Sequence, residues 1–184
     1  DYAVKEDEAF VGNPPPGYFG VAWMKRYAEI VCNHFNNITN TKFSIIRTTA
    51  MYGPHDNFND RGHVIPQLIM KADSGMNPFE IWGDGTQVRD FIHMEDIVEA
   101  TLKAVELNIQ VPINLGNGTP VSFIELAEIM FKVSGFRPKH GIKLRKEKPV
   151  GVMFRCSNND QMLSFYKPKI SIEEGIKRSL KYNS

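Results

Sequence analysis

The chain has 184 residues, of which 42% are hydrophobic and 23% charged, and its formal net charge is +1. These values are ordinary for a globular protein, and the sequence has no basic block of the kind that binds nucleic acid. The longest apolar runs are far shorter than the ~20 residues that span a bilayer, and no charged-then-apolar leader opens the chain. We therefore expect a cytoplasmic protein that binds neither nucleic acid nor a membrane.

The cysteines and most of the histidines suggest no metal chemistry. Cys32 and Cys156 have no spacing that indicates a disulfide framework or a metal site, and we expect reduced thiols. Four histidines also lack metal-ligand spacing and are expected to be structural or solvated: His34, His55, His93 and His140. No metal site is therefore expected.

The first long apolar element is a predicted helix from about Tyr18 to Asn36, after a polar, proline-rich surface loop over residues 1–17. Apolar residues recur along this helix on a broad face: Val21, Trp23, Met24, Tyr27, Ile30, Val31 and Phe35. A face of this width suggests burial on two sides, against a sheet and against a second subunit.

Short strands and helices alternate through the rest of the chain. Strands are predicted over residues 42–47, 79–82, 88–92 and 112–116, with a strand-like run at 142–144. Helices are predicted over residues 63–73 and 95–107, and two more begin at the capping boxes of Ser122 and Ser171. Gly83-Asp84-Gly85 predicts a hairpin-like turn after the second strand.

This alternation predicts an α/β protein with a mainly parallel sheet. Only residues 42–47 and 111–115 are convincing as strands of a long sheet. A parallel sheet of two strands would leave both edges open and could not bury its helices. The pattern therefore implies further strands outside the chain, which we interpret as the C-terminal part of a larger α/β enzyme.

Five segments occur in the order and spacing that is typical of one family. They are Phe19-Gly20-x-x-x-x-Lys25-Arg26, Tyr52-Gly53-Pro54-His55-Asp56-Asn57-Phe58-Asn59, Gly62-His63-Val64-Ile65-Pro66, Trp82-Gly83-Asp84-Gly85 and Arg89-Asp90-Phe91-Ile92-His93. On these segments, nearly the whole chain resembles the extended short-chain dehydrogenase/reductase family, the nucleotide-sugar epimerases, dehydratases and reductases.

The resemblance implies a fold that combines the C-terminal part of a Rossmann-type parallel sheet with a smaller α/β substrate-binding domain. Residues 1–54 and 93–116 would be the remnant of the dinucleotide-binding domain. Residues 55–92 and 117–184 would form the nucleotide-sugar substrate domain.

The resemblance also implies an enzyme that uses NADP or NAD and reduces or epimerises a nucleoside-diphosphate 4-keto sugar. It implies a homodimer formed through the helix at residues 18–36. The family's Gly-rich turn for the cofactor pyrophosphate, a catalytic Ser or Thr, and a Cys used for epimerisation would all precede Asp1. We therefore expect the chain alone to be inactive.

Lys25 is the catalytic candidate that the resemblance identifies first. In the family this lysine holds the nicotinamide ribose and lowers the pKa of a tyrosine that exchanges a proton with the sugar oxygen. That tyrosine stands four residues before the lysine, where this chain has Val21. Tyr18 lies seven residues before Lys25, ~10.5 Å away along a helix, and could serve only if the helix begins later and the loop folds back.

Further residues are assigned by position in the resembling enzymes. His63 matches a histidine that acts as general acid in ring epimerisation, although a helix-terminal histidine that bonds locally is an alternative. The loop that meets the nicotinamide end of the cofactor corresponds to four residues: Thr48, Thr49, Ala50 and Met51. His63 is also included among the cofactor-binding candidates.

Three residues are candidates for binding the sugar nucleotide. Arg89 would contact the diphosphate, where a bidentate guanidinium suits phosphate oxygens; the alternative is a surface ion pair with Asp84 or Asp90. Lys71 falls where the family has a basic residue for the phosphates. Trp82 would pack either on the nucleotide or in the core.

Two other functions stay open beside the enzyme. Val21 in place of the tyrosine suggests a non-catalytic relative that still binds a nucleotide sugar. The wide apolar face of residues 18–36 suggests a helical interaction module.

Overall fold

The structure, a computed structural model, describes residues 2–183, without the side chains of residues 182 and 183. The helices are α1 (Phe19–Ile38), α2 (Val64–Asp73), α3 (Met94–Glu106), α4 (Phe123–Ser134), α5 (Asp160–Leu163) and α6 (Ile172–Asn183). The strands are β1 (Ile46–Thr48), β2 (Ala50–Tyr52), β3 (Phe79–Trp82), β4 (Val88–His93), β5 (Ile113–Leu115), β6 (Pro120–Ser122), β7 (Ile142–Arg145) and β8 (Phe154–Arg155). Short 3-10 turns cover Glu6–Phe10 and Pro16–Tyr18.

Most strand pairs are parallel, as the alternation of elements predicts. The pairs β1–β5, β2–β4, β3–β7 and β4–β8 are parallel, and β4–β6 is antiparallel. Strand β4 connects β2 to β6 and β8 in one sheet, because its second half pairs with β2 while its first half pairs with β6 and β8. The first half of β4 contains Arg89, which therefore lies where three strands meet.

Several predicted elements differ in detail. The strand predicted at 42–47 begins only at Ile46, because the preceding backbone is bonded locally: the Phe43 N–H donates to Asn36 Oδ1 at 2.8 Å. Tyr52 ends a strand that the sequence did not predict. The Gly83–Gly85 turn has positive φ at both glycines, but the interpretation as a hairpin is wrong, because β3 pairs with β7 and not with β4.

Two apolar clusters hold the described residues together. The larger joins β3 to α2, α4 and α6 and includes Phe79, Leu126 and Ile176, each fully buried. The smaller packs α3 against β5 and includes Ile113 and Leu115. The proposed division of the chain into a dinucleotide-binding remnant and a substrate domain stays a prediction.

Helix α1 does not bury its apolar face as predicted. None of its residues is buried within the chain, and Val21, Met24, Tyr27 and Ile30 are each more than half exposed. The reason is that α1 is attached by its polar side: Glu29 forms a bidentate ion pair with Arg47 of β1. The two-sided burial predicted for this helix is therefore absent from the described residues.

The helices of residues 2–183 include none that is both long enough and apolar enough to cross a bilayer. The same residues contain no group of three or more His, Cys, Asp or Glu side chains placed to hold a metal ion.

Candidate active site

Two adjoining cavities contain every residue that the sequence identifies as a site candidate. The first, here called the inner cavity, has a volume of about 480 Å³ and is lined by Tyr18, Lys25, Thr48, Thr49, Ala50, Met51, His63 and Arg89, together with Arg155. The second, here called the outer cavity, has a volume of about 250 Å³ and is lined by Lys71 and Trp82 among others. Val64 and Phe123 line both cavities, so the two form one continuous depression.

The inner cavity is built from the ends of separate elements. The 3-10 turn before α1 supplies Tyr18, α1 itself supplies Lys25, and the junction of β1 and β2 supplies residues 48–51. The Thr49 N–H donates to the Leu115 carbonyl at 2.9 Å, while its hydroxyl oxygen is buried and has no hydrogen-bond partner in the described structure. A buried hydroxyl without a partner is costly, which is expected where a bound group completes the bonding.

His63 also lines the inner cavity, at the N-cap position of α2. Its side chain makes no capping hydrogen bond, so the imidazole is not occupied by the local contact that was the alternative interpretation. His93, at the N-cap position of α3, differs from His63, because its Nδ1 accepts a capping hydrogen bond from the Glu95 N–H at 3.3 Å. His93 is therefore structural, and His63 remains available to the cavity.

Val21 does not take the position of the missing tyrosine. Its side chain is 54% exposed and lines neither cavity. Tyr18 lines the inner cavity from the 3-10 turn that precedes α1, because the helix begins only at Phe19. The helix thus begins after Tyr18, which meets part of the condition under which Tyr18 could replace the missing tyrosine. The phenol of Tyr18 is on the wall of the cavity.

Arg89 and Arg155 stand side by side on the wall of the inner cavity. They are direct register partners in the parallel pair β4–β8. Burial, and then the positive charge of Arg155, lowers the pKa of Arg89 from its ordinary value. Neither guanidinium forms an ion pair with a carboxylate in the described part of the chain. Two unpaired positive charges at one wall favour an anionic ligand.

The predicted alternative partners of Arg89 are engaged elsewhere. Asp84 accepts hydrogen bonds from the backbone and side chain of Thr86. Asp90 is fully buried and accepts from the N–H groups of Asn117 and Gly118 at 3.0 and 3.2 Å. Burial raises the pKa of Asp90, and these backbone hydrogen bonds oppose the rise. Asp90 therefore fixes the loop after β5 and does not pair with Arg89. The Arg89 Nη1 donates to the Val88 carbonyl at 2.7 Å, and its guanidinium carbon lies 5.6 Å from the centre of the Phe123 ring.

The outer cavity combines an exposed aromatic ring with two cations. Trp82 is 49% exposed, so it is not a core residue, and the Lys148 ammonium lies 5.5 Å from its ring centre. Lys71 donates to the Glu80 carbonyl at 2.7 Å, and burial lowers its pKa. A flat ring and a basic group in one small cavity suit a nucleobase or ribose phosphate.

Sequence reasoning missed Arg155, and it identified Gly151 only as part of the Lys148-Pro149-Val150-Gly151 segment, which resembles the family's nucleotide-side loop. Arg155 belongs to a two-residue strand with no motif around it, and only its register with β4 brings it to the site. A Cβ atom on Gly151 would lie 3.1 Å from the Tyr18 hydroxyl and 3.4 Å from the nearest Arg89 guanidinium nitrogen. The Lys148-Pro149-Val150-Gly151 loop was the one available signal, since Pro149, Val150 and Gly151 all line the outer cavity.

Comparisons with known proteins identify the family and the fold of the chain. A model of the NAD dependent epimerase/dehydratase family matches residues 6–116. A dTDP-4-dehydro-6-deoxy-D-allose reductase of a Streptomyces species is 37% identical over 78% of this chain and 43% of that protein. A GDP-L-fucose synthase of Sinorhizobium fredii is 31% identical over 96% of this chain and 58% of that protein. The chain thus spans about half the length of the curated relatives it matches.

Solved structures confirm the predicted α/β fold class with its Rossmann-type parallel strands. A GDP-mannoheptose C4 reductase from Campylobacter jejuni with NADP bound superposes with a TM-score of 0.84 at 23% identity, covering 100% of this chain and 65% of that one. The cofactor class expected from the sequence, NAD or NADP, agrees with the name of the matched family. The family model covers more than half of the chain, and the chain therefore belongs to the NAD dependent epimerase/dehydratase family.

Proposed function

We propose that this chain is the C-terminal part of an NAD(P)-dependent enzyme that reduces or epimerises a nucleoside-diphosphate 4-keto sugar. What supports the proposal is the chemistry of the two adjoining cavities. The inner cavity is lined by a lysine, two threonines, a histidine and two arginines, and the outer cavity by a lysine and by a tryptophan that has a second lysine over its ring. A nicotinamide, a sugar, a diphosphate and a nucleoside require groups of these kinds.

The end of the inner cavity at Lys25 and residues 48–51 suits a nicotinamide nucleotide. Lys25 forms no ion pair within the described residues, and the Thr49 hydroxyl is buried without a partner. In our proposal the Lys25 ammonium holds the ribose hydroxyls, and Thr48, Thr49, Ala50 and Met51 form the wall behind the ring. The bound nicotinamide would supply or accept the hydride at the sugar carbon.

His63 is proposed as the proton donor or acceptor for the sugar ring, because its imidazole is exposed at the inner cavity and free of a capping bond. An imidazole titrates near neutral pH and suits this role. Tyr18 and the buried Tyr52 are the phenols on the wall of this cavity among the described residues. Arg89, Lys71 and Trp82 are proposed to hold the sugar nucleotide.

Calorimetry on the full-length protein tests this proposal. We expect binding of NADP⁺ or NAD⁺ and of GDP or dTDP, the nucleotides in the names of two relatives. Lys25→Met should weaken nicotinamide nucleotide binding by about tenfold or more, because it removes a charged hydrogen-bond donor. Lys103→Met, on the exposed side of α3, is the matched control. A full-length protein that bound neither class of nucleotide would contradict the proposal.

A second candidate is a relative that binds the sugar nucleotide without turning it over. The observation that favours it is Val21, which leaves no phenol at the usual distance from Lys25. This candidate predicts that Val21→Tyr in the full-length protein creates turnover, measured as a change in NADPH absorbance with a 4-keto sugar nucleotide. Turnover with Val21 in place would exclude it and favour the enzyme.

We also propose that α1 contributes to a homodimer. Its apolar side is uncovered in this chain and is too wide for a single neighbouring element. Analytical ultracentrifugation should find a dimer for the full-length protein, and Tyr27→Glu should shift it toward monomer because the change places a charge on the exposed apolar side. A strictly monomeric wild-type protein would argue against this assembly.

A further inference from the structure

The hydroxyl of Tyr18 lies next to Gly151, a residue of the outer cavity. Tyr18 lines the inner cavity, while its hydroxyl is 3.1 Å from where a Cβ on Gly151 would stand, and Gly151 lines the outer cavity. The nearest Arg89 guanidinium nitrogen is 3.4 Å from that same point. The phenol and the Arg89 guanidinium therefore meet at one spot on the backbone.

Arg155 completes this group from the other side. Its guanidinium carbon lies 5.2 Å from the centre of the Tyr18 ring, a cation–π distance that holds the ring in place. Arg155 stands next to Arg89 through the β4–β8 register. The Tyr18 hydroxyl makes no hydrogen bond to any described residue, and no carboxylate pairs with either arginine. Three donor groups thus converge where the described residues supply one acceptor. That acceptor, the Val88 carbonyl, takes one Arg89 N–H at 2.7 Å, and the remaining donors are open to a ligand.

We infer that Tyr18 is a substrate-binding residue, whose hydroxyl joins the guanidiniums of Arg89 and Arg155 in holding the diphosphate of the sugar nucleotide. This inference rests on the proposed function, because it assigns one residue within that site. A phosphate oxygen accepts hydrogen bonds from all three groups, and its negative charge offsets the repulsion between two neighbouring guanidiniums. The small residue at Gly151 is required by the same arrangement, since a side chain there would contact Tyr18 and Arg89.

The assignment separates Tyr18 from proton transfer at the sugar. A tyrosine that exchanges a proton must reach the reacting oxygen at the Lys25 end of the inner cavity. The hydroxyl of Tyr18 is instead directed to Gly151 and Arg89, toward the outer cavity. A residue that binds the diphosphate is expected to change affinity and leave the pH profile of turnover unaltered.

The test is Tyr18→Phe in the full-length protein, which keeps the ring beneath Arg155 and removes only the hydroxyl. Calorimetry with GDP and with dTDP should show an affinity loss of about tenfold or more for the nucleotide that binds. Where turnover is measurable, KM should rise while kcat and its pH dependence stay unchanged. Tyr27→Phe, on the exposed side of α1, should leave the nucleotide affinity, KM and kcat unchanged.

Two results would overturn the inference alone. One is equal GDP or dTDP affinity for the wild type and Tyr18→Phe. The other is a large fall in kcat with a shifted pH profile and unaltered affinity, which would assign Tyr18 to proton transfer. If the unchanged full-length protein bound neither nucleotide, the proposed function would fail together with the inference.

Discussion

Helices α1 and α4 have similar apolar patterns but opposite surroundings. Helix α4 buries Leu126, Ala127, Met130 and Phe131 completely or nearly so, against α2 and α6. Helix α1 is longer and buries none of its residues. A capping box at Ser122 and a left-handed Gly135 bound α4, whereas no side chain caps the N-terminus of α1. Apolar periodicity therefore predicts that a face will be buried but not what buries it.

The attachment of the two helices explains the difference. Helix α4 is held by its apolar side, so the chain itself supplies its partner. Helix α1 is held by its polar side, through Glu29 and through Arg26, whose guanidinium donates to the Ala9 and Gly12 carbonyls at 2.8 Å each. The apolar side of α1, whose burial would stabilise the protein most, is the side that is exposed. No described residue of the chain covers that side.

The largest expected effect compares matched truncations on the two helices. Leu126→Ala should lower the free energy of unfolding of this chain by about 3 kcal/mol, because a fully buried leucine leaves a cavity. Ile30→Ala, at a site that is 53% exposed, should change it by less than about 0.5 kcal/mol. Urea titration followed by far-UV circular dichroism measures both. Similar losses for the two variants would show that the contrast between the helices is false.

The same Ile30→Ala substitution in the full-length protein sharpens the comparison. If the uncovered side of α1 is buried there, the variant should lose about 2 kcal/mol, a typical cost of truncating a buried isoleucine. Helix α4 needs no such partner, so Leu126→Ala should cost about the same in both proteins. An effect of Ile30→Ala that stayed near zero in the full-length protein would mean that this face is exposed in both.

The sequence predicted which residues gather at the two cavities better than it predicted the sheets. Local signals were sufficient where a side chain bonds to its own helix, as at Ser122, whose hydroxyl accepts from the Glu125 N–H while the Glu125 carboxylate accepts from the Ser122 N–H. Motif order was sufficient for residues such as Lys25 and Arg89, which line the inner cavity as a group.

Residues whose position depends on distant pairing were missed. Arg155 reaches the site only because β8 pairs with β4 in one register, and no local pattern encodes that register. Strand β2 is three residues long and pairs with β4, about forty residues later in the chain, so its short run gives no period to recognise. The direction of the Tyr18 hydroxyl depends on the 3-10 turn before α1, which a helical register does not predict.

The stability of the chain is expected to depend on pH through the N-cap residue of α3. Like α4, this helix is buried against other elements of the chain. Burial lowers the pKa of His93, against the opposing charges of Glu95 and Asp96 and together with the positive charge of Arg178. The unfolded chain then binds the proton more readily, so stability is full above about pH 6.5 and falls as the pH drops toward the lowered pKa, by at most about 1.4 kcal/mol per pH unit. Urea titrations at several pH values measure the slope.

His93→Asn is the matched variant for this prediction, because asparagine keeps a capping acceptor for the Glu95 N–H and does not titrate. The variant should be less stable overall, since the His93 ring packs 5.4 Å from the Tyr52 ring, but its stability should depend less on pH in this range. An unchanged slope would show that another group causes the pH dependence.

The smallest expected effect is at the cap of α4. Ser122→Ala should cost about 1 kcal/mol, because the Glu125 N–H loses its acceptor and the Glu125 carboxylate loses the Ser122 hydroxyl as a donor. At the start of α6, the Ser171 hydroxyl accepts from the Glu174 N–H at 3.2 Å. Ser171→Ala should cost less than Ser122→Ala, because no hydrogen bond from Ser171 to the Glu174 carboxylate is found among the described residues. Thermal unfolding of this chain with each variant gives the ranking. If the two losses were equal, the hydrogen bond from the Ser122 hydroxyl to the Glu125 carboxylate would contribute nothing to the stability of α4. The greater stability expected of α4 than of α1 would then come from packing alone.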